Sequence, residues 1–369
     1  MGKVMRAIGL MSGTSMDGID VALVETDGEV AIRRGPSVTV AYPPEFRALL
    51  ARAVEDAAAI SDRGERTGCL AEAERQLTER HAEAVLRFMG DRMLQPMAIN
   101  VVGFHGQTVL HRPEQQLTLQ LGDGPLLARR TGIDVVHDLR AADIAAGGQG
   151  APLAPIYHRA LAAKLRDRPV AFLNIGGVAN VTWIGRDGEL LAFDTGPGNG
   201  MVDDLMMLKC GASRDEGGQT AAQGRVHENY VTQYLRHSYF GEPPPKSLDR
   251  KAFLLELVEG LAVEDAAATL TAFTAAAIAS ARAHFPEQPA MWVVCGGGRK
   301  NRTLMSMIAA NVENAVVPSE AISADGDSLE AEAWAYLAVR SLKGLPITFP
   351  GTTGVPRSLT GGVLARANA

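Results

Sequence analysis

Ile8-Gly9-Leu10-Met11-Ser12-Gly13-Thr14-Ser15-Met16-Asp17-Gly18-Ile19-Asp20 is the stretch whose reading decides the fold. An apolar run enters a turn of small residues and leaves it as a second, alternating run. Carboxylates stand at the exit. The same layout returns further on, as Asn174-Ile175-Gly176-Gly177, a strand, the hairpin Arg186-Asp187-Gly188, and then Phe193-Asp194-Thr195-Gly196-Pro197-Gly198-Asn199. Two such hairpins imply two half-molecules gripping one polyphosphate, and therefore a nucleotide-dependent enzyme.

The physical case rests on small residues and backbone. Ser12-Gly13-Thr14-Ser15 offers several N–H groups and three hydroxyls with little bulk. Glycine admits close approach, and successive N–H groups form an anion-binding concavity. Asp17 and Asp20 follow, and a carboxylate beside a phosphate loop makes sense where Mg²⁺ neutralises both. The plain alternative is a hairpin turn with solvated acids. Asp194 ends a short strand before Thr195–Asn199, placed to act as a base, and a helix starting near Gly200 would aim its positive end at phosphate. The alternative is an Asp that only shapes that turn.

Outward from the hairpins, strands are expected at Met5–Met11, Ile19–Glu25 and Val30–Val40, and helix across much of Pro43–Met89. Asn100–Phe104 reads as a strand ending in a polar loop, His105-Gly106-Gln107-Thr108. Thr118–Leu121 and Ile133–His137 read as strands around a helix at Pro125–Thr131. Ala141–Pro155 is the loop richest in Gly and Ala. Val170–Ile175, Asn180–Ile184, Leu190–Phe193 and Met291–Cys295 are further strands. Met201–Leu208, Glu264–Ala283 and Leu329–Leu342 are helices. This order, given twice, implies two mixed-sheet α/β domains with a cleft between them. The boundaries are expected at 1–139 and 140–344, with 345–369 packing back on the first domain.

Polar clusters point to a hydrophilic ligand. His105 with Gln107 and Thr108 forms one, and Arg140 with Asp143 and Gln149 another; both suit a ligand with several hydroxyls, such as a sugar. A structural histidine is an equal reading for His105. Gly296-Gly297-Gly298 follows a strand and reads as close backbone approach to a nucleoside. Its spacing fails the dinucleotide fingerprint, and the chain lacks a P-loop. Lys246, Ser247 and Asp249 lie in a Pro-rich loop, either a lid or plain solvated surface. Glu330 and Glu332 open a helix, where acids suit the dipole.

The bulk composition narrows the classes. With 369 residues, 46% hydrophobic and 21% charged, two globular domains are expected. A net charge of −6 without a basic block gives nucleic acid no electrostatic footprint. Cys69, Cys210 and Cys295 form no paired motif, which speaks against zinc and disulfides and for a reducing, cytoplasmic setting. No signal peptide is evident, and no stretch approaches the roughly 18 apolar residues of a membrane span. The small-residue helix Ala266–Ala283 suits internal packing or a homodimer.

Taken together, Gly13–Asp20, Phe104–Thr108, Asp143–Leu153, Asn174–Gly177, Phe193–Asn199 and Cys295–Gly298 resemble the anhydro-N-acetylmuramic acid kinases, in order and over Ile8 to about Tyr336. The resemblance implies the two-domain actin-like ATPase (ribonuclease H-like) fold, α/β with mixed sheets flanked by helices and a central cleft. It implies conversion of 1,6-anhydro-N-acetylmuramic acid, ATP and water to N-acetylmuramic acid 6-phosphate and ADP, in peptidoglycan recycling. By the same resemblance Gly13, Thr14, Ser15, Met16, Asp17, Gly18, Ile19 and Asp20 would bind the ATP phosphates. Gly176, Gly177, Gly296, Gly297 and Gly298 would line the nucleotide, and Asp17 and Asp20 would hold Mg²⁺. Asp194 would be the catalytic base and Glu330 a second acid of the site. His105, Gln107, Arg140 and Asp143 would meet the sugar. The alternatives are an ordinary sugar kinase of the same superfamily and an ATP-driven switch like actin or a chaperone.

Overall fold

A glycine pair shows how the first sheet is built. The computed structural model describes residues 2–13 and 15–368. Its chain divides into two units, Met1–Ala163 with Ser328–Ala369, and Lys164–Asp327. In the first unit β1 (Met5–Ser12), β2 (Gly18–Thr26) and β3 (Ile32–Ala41) form an antiparallel meander. Helices α1 (Pro44–Ala57) and α2 (Leu70–Gly90) follow. Next come β4 (Val101–Arg112), β5 (Leu117–Leu121), α3 (Gly124–Thr131), β6 (Val135–His137), α4 (Ala141–Ala145) and α5 (Pro155–Ala162). β4 runs parallel to β1, with Gly9 opposite Gly103.

The second unit holds β7 (Val170–Ile175), β8 (Val178–Ile184), β9 (Leu190–Pro197), α6 (Gly200–Cys210) and α7 (Glu228–Leu235). It continues through α8 (Val263–Ser280), β10 (Met291–Cys295), α9 (Arg302–Val312) and β11 (Ala315–Pro318). The chain then returns to the first unit as α10 (Leu329–Leu342), α11 (Pro350–Thr353) and β12 (Val363–Ala365).

Both sheets follow one path. The first runs β12-β6-β4-β1-β2-β3, with β5 beside β4, and the second β11-β10-β7-β8-β9. In each a meander of three strands is extended by parallel strands reached through helices, as parallel pairing requires. α10 lies directly on the glycine pair. A Cβ on Gly9 would stand 1.8 Å from the Ala331 carbonyl, and one on Gly103 2.1 Å from that of Trp334. Only glycine admits that helix at this distance. The other face is covered by α1 and α2. Phe46, Leu49, Leu50 and Ala53 repeat at helical spacing and are buried, together with Leu77, Val85 and Phe88 of α2 in the same core.

Three local expectations change. His105–Thr108 is not a loop, because β4 runs on to Arg112 and β5 pairs back on it from Gln107 to Arg112. Asp194 does not end its strand, since β9 continues to Pro197. Ala141–Ala145 is a short helix. The units also divide after residues 163 and 327, where the sequence pattern suggested 139 and 344. The reason is long-range: α10 packs on β1 and β4, and β12 pairs with β6.

The small-residue helix is an internal one. Ala266, Ala267, Leu270, Phe273 and Ala277 of α8 are buried in the second unit's core. Val263–His284 is long and apolar enough to cross a membrane by length and composition, and 67% of its apolar 18-residue window is buried.

Candidate active site

In the first unit the loop after β1 is held from beneath by side chains. The Ser12 hydroxyl donates to Gln107 Oε1 at 2.6 Å. Having given its proton away, it accepts from the Tyr42 hydroxyl at 3.0 Å. Gln107 Nε2 donates to the Gly13 carbonyl at 3.1 Å. These groups are buried, and desolvation raises the Tyr42 pKa so that it stays a neutral donor. Buried, fully paired groups of this kind hold a loop in one conformation. The Met16 N–H closes the turn on Gly13, with Met16 left-handed at φ 53°. Thr14 lies outside the described residues.

The expected phosphate stretch divides by environment. Gly13 and Ser15 belong to the turn, whereas Gly18 and Ile19 are β2 residues and Ile19 is in the core. The Asp17 carboxylate is largely exposed, 3.4 Å from Arg47. Asp20 accepts from the Thr39 hydroxyl at 2.5 Å across the β2–β3 pair. Among the described residues no three His, Cys, Asp or Glu side chains gather as a metal cluster.

Two residues before Gln107 on β4, a second group of polar residues forms a stack. The His105 ring lies 4.5 Å from that of Trp334, and the Arg140 guanidinium lies over the same indole at 5.2 Å. Arg140 donates to His105 Nε2 at 3.0 Å and to the Gly150 carbonyl at 2.7 Å. Burial, then the Arg140 charge, hold the His105 pKa well below its ordinary value. The ring is therefore neutral, accepts through Nε2 and carries its proton on Nδ1, on the side of the Gly106 and Ser12 backbone. Burial pushes Arg140 down to about 10, against the opposing pull of Glu330 first and Asp143 second. Glu330 stands exposed in the first turn of α10.

Asp143 is spent on the chain itself. One oxygen accepts from the Gly150 N–H and the other from the Thr353 hydroxyl, both at 2.6 Å. It shapes the Gly147–Gly150 loop, which in turn presents the Gly150 carbonyl to Arg140. A cavity of about 130 Å³ opens beside this stack, lined by Arg63, His105, Gln120, His137 and Asp138 among others. Arg63 and Gln120 gave no signal in the sequence, because Gln120 is placed by β5 folding back on β4 and Arg63 by a loop that reaches Asp138.

The second unit builds its site around Asp194. Its N–H donates to the Lys246 carbonyl at 3.0 Å, and the Leu248 N–H donates to its Oδ2 at 2.8 Å. The Tyr239 hydroxyl caps its carbonyl, and Lys246 Nζ donates to the Tyr239 carbonyl at 2.8 Å. The Pro-rich loop thus straps over the acid. The residue is half-buried, and the loss of water around its carboxyl pushes its pKa up to about 7, against the lowering effect of the Leu248 N–H. That value suits a general base at neutral pH.

Around it the glycines knit one turn to another. Gly198 and Gly200 donate to the Gly177 carbonyl at 2.9 and 3.1 Å, and Asn199 donates to that of Gly176 at 2.8 Å. The start of α6 is thereby fixed against the Gly176-Gly177 turn. Gly296 has φ 73° and Gly298 abuts Ile175, whereas Gly297 faces open space. Arg299, which follows, is locked, with bonds to Glu320, Asp327 and the Gly296 carbonyl and a side chain only 5% exposed.

A glycine turn rigidified by buried side chains in one unit, and an acid strapped near neutrality beside glycine turns in the other, suit phosphate chemistry. The family model described as anhydro-N-acetylmuramic acid kinase matches residues 5–367. The chain belongs to the anhydro-N-acetylmuramic acid kinase family. The protein of that name from Methylobacterium nodulans is 54% identical, over 98% of this chain and all of its own length. That from Agrobacterium fabrum is 50% identical over the whole of both chains. Among solved structures, the Acidaminococcus fermentans (R)-2-hydroxyglutaryl-CoA dehydratase component A aligns with TM-score 0.50 at 12% identity, covering 92% of this chain and 99% of its own. That likeness bears on the fold alone. The two α/β units of this family member, each a mixed sheet flanked by helices, make the actin-like ATPase fold.

Proposed function

We infer that this chain phosphorylates 1,6-anhydro-N-acetylmuramic acid at O6 with ATP while opening its anhydro ring with water. The products are N-acetylmuramic acid 6-phosphate and ADP, and the reaction serves peptidoglycan recycling. The observation that carries this reading is the family match across residues 5–367, with 50–54% identity over full-length relatives. A reducing, cytoplasmic compartment that supplies ATP suits it.

The chemistry follows from the substrate. O6 is tied to C1 and has no proton to lose. Water therefore attacks C1 as the C1–O6 bond breaks, and O6 takes the γ-phosphoryl group while ADP leaves. The proton to be removed is that of the water. Asp194 is proposed as the base that takes it. Its pKa near 7 leaves much of it ionised at neutral pH yet strong enough to accept a proton. The Leu248 N–H fixes the orientation of one carboxylate oxygen.

The remaining residues are proposed to bind and position. The turn at Gly13 and Ser15, pinned through Ser12, Gln107 and Tyr42, is proposed to offer N–H groups to phosphate oxygens from a preorganised backbone. Arg140, His105 and Glu330 are proposed to meet sugar hydroxyls, with the neutral His105 ring oriented by Arg140. Asp17 and Asp20 suit Mg²⁺ by donor chemistry, since that ion takes one or two carboxylates together with waters and phosphate oxygens, and Asp17 is largely exposed. When bound, Mg²⁺ would neutralise phosphate charge.

Turnover in heavy-oxygen water tests the reaction. Label is expected at C1 of the product. Phosphorylation without label at C1 would indicate an ordinary sugar kinase, and ATP hydrolysis indifferent to the sugar would indicate a switch protein.

A further inference from the structure

We propose that Arg250 binds a phosphate group of the nucleotide, exchanging its present partner Asp204 for phosphate oxygens beside the Gly176-Gly177 turn. The proposal rests on the kinase reading and adds a residue to it. Three observations within the second unit carry it.

The first is position. Arg250 Nε lies 3.3 Å from where a Cβ on Gly200 would stand, and its side chain lies 3.6–3.9 Å from the same point on Gly177. Those two glycines are joined by the Gly200 N–H donating to the Gly177 carbonyl. The guanidinium therefore flanks both the turn and the start of α6. There Met201 and Val202 have N–H groups with no acceptor inside the helix. Backbone N–H groups and a forked cation together match a phosphate.

The second is availability. The Arg250–Asp204 contact is 3.0 Å, with the two side chains 49% and 60% exposed. An exposed pair of this kind contributes little and is readily exchanged. Arg299, the arginine after the other glycine turn, is held by Glu320, Asp327 and the Gly296 carbonyl, so its charge is already committed. Asp203 and Asp204, both in the first turns of α6, would oppose a phosphate there if no cation stood beside them.

The third is connection. Arg250 sits two residues beyond Leu248, whose N–H holds the Asp194 carboxylate, and four beyond Lys246, whose carbonyl holds the Asp194 N–H. One loop thus carries both the grip on the candidate base and the cation for the phosphate. Seating the phosphate would steady the strap over Asp194.

The test is calorimetric titration of the full chain with ATP, ADP and adenosine. Arg250→Ala is expected to weaken ATP and ADP binding roughly ten- to a hundredfold, the range for a lost charged hydrogen bond, and to leave adenosine affinity within twofold. Arg250→Gln repeats the readout if the alanine variant does not fold. Asp204→Asn frees the guanidinium and should bind ATP as tightly as the parent chain or more tightly. ATP affinity unchanged in Arg250→Ala overturns the proposal. Equal losses for adenosine, or an Asp204→Asn variant as weak as Arg250→Ala, mean a structural ion pair and also overturn it. A parent chain that binds none of the three ligands would break the kinase reading itself.

Discussion

The two hairpins share a layout and treat their acids in opposite ways. In the first, Asp17 stands in solvent beside Arg47 and Asp20 leans on Thr39, while the care of the fold goes into the loop backbone through Ser12, Gln107 and Tyr42. In the second, the glycine turns are tied to each other, and an added loop crosses over Asp194. One hairpin has its turn backbone pinned by buried side chains, the other has a carboxyl stripped of water. Equivalent topology has been given unequal electrostatics, and the difference comes from what was inserted after each meander.

The sharpest way to break this contrast is Asp194→Asn. Turnover with the anhydro sugar and ATP should fall by about 10²–10⁴, with nucleotide affinity measured by calorimetry within twofold. Near-normal turnover would remove Asp194 from the role of base. The same substitution sharpens the contrast through stability. The folded-state pKa of Asp194 is raised, so its contribution to stability is full below the unfolded value near 3.8 and is lost as pH rises through about 7. Above pH 7 the Asn variant should melt higher than the parent, by an amount on the order of 1–2 kcal/mol after allowing for its partial exposure. Equal melting points at pH 8 would show that the carboxyl is solvated after all. In kinetics, the parent's kcat should drop about tenfold per pH unit below 7.

A second pair of variants compares the glycines. Gly9→Ala forces a Cβ into the α10 backbone and should cost about 1–3 kcal/mol or more in urea unfolding. Gly297→Ala, which meets nothing within 4 Å, should stay within about 0.5 kcal/mol. Gln107→Leu leaves Ser12 without an acceptor and should cost about 1–3 kcal/mol, with a raised KM for ATP and little change in kcat once saturated. Arg47→Ala, at an exposed pair, should shift stability by less than about 1 kcal/mol. A large loss there would mean that the Asp17 end of the first hairpin is more constrained than its exposure suggests.

Much of the local structure was legible because local pattern carries it. Val170–Ile175 and Met291–Cys295 are short, almost wholly apolar runs and Leu329–Leu342 is a run of small and aromatic residues, and their limits match the sequence reading residue for residue. His105–Thr108 was misread because Gly106 and two polar neighbours look like a loop. They are kept in the strand by pairing with β1, far away in the chain, and with β5, which folds back on β4 just after it. The unit boundaries were displaced for the same reason. Nothing near residue 328 announces that the next helix will lie on Gly9 and Gly103. The candidate base Asp194 stands out by its motif. The Pro-rich loop at Lys246–Asp249 also stands out as a lid or solvated surface, but its grip on Asp194 does not, since Leu248 contributes only a backbone N–H.

The placement of α10 also bears on how the protein is made. The helix that covers Gly9 and Gly103 leaves the ribosome only after every residue of the second unit. At ordinary synthesis rates that interval is on the order of ten seconds. During it the second unit, continuous in the chain, can complete itself. The first waits with β1 and β4 formed at most as a platform, its glycine stripe bare to solvent and to chaperones. A nascent chain halted before Ser328 should therefore carry one protease-resistant unit, the later one.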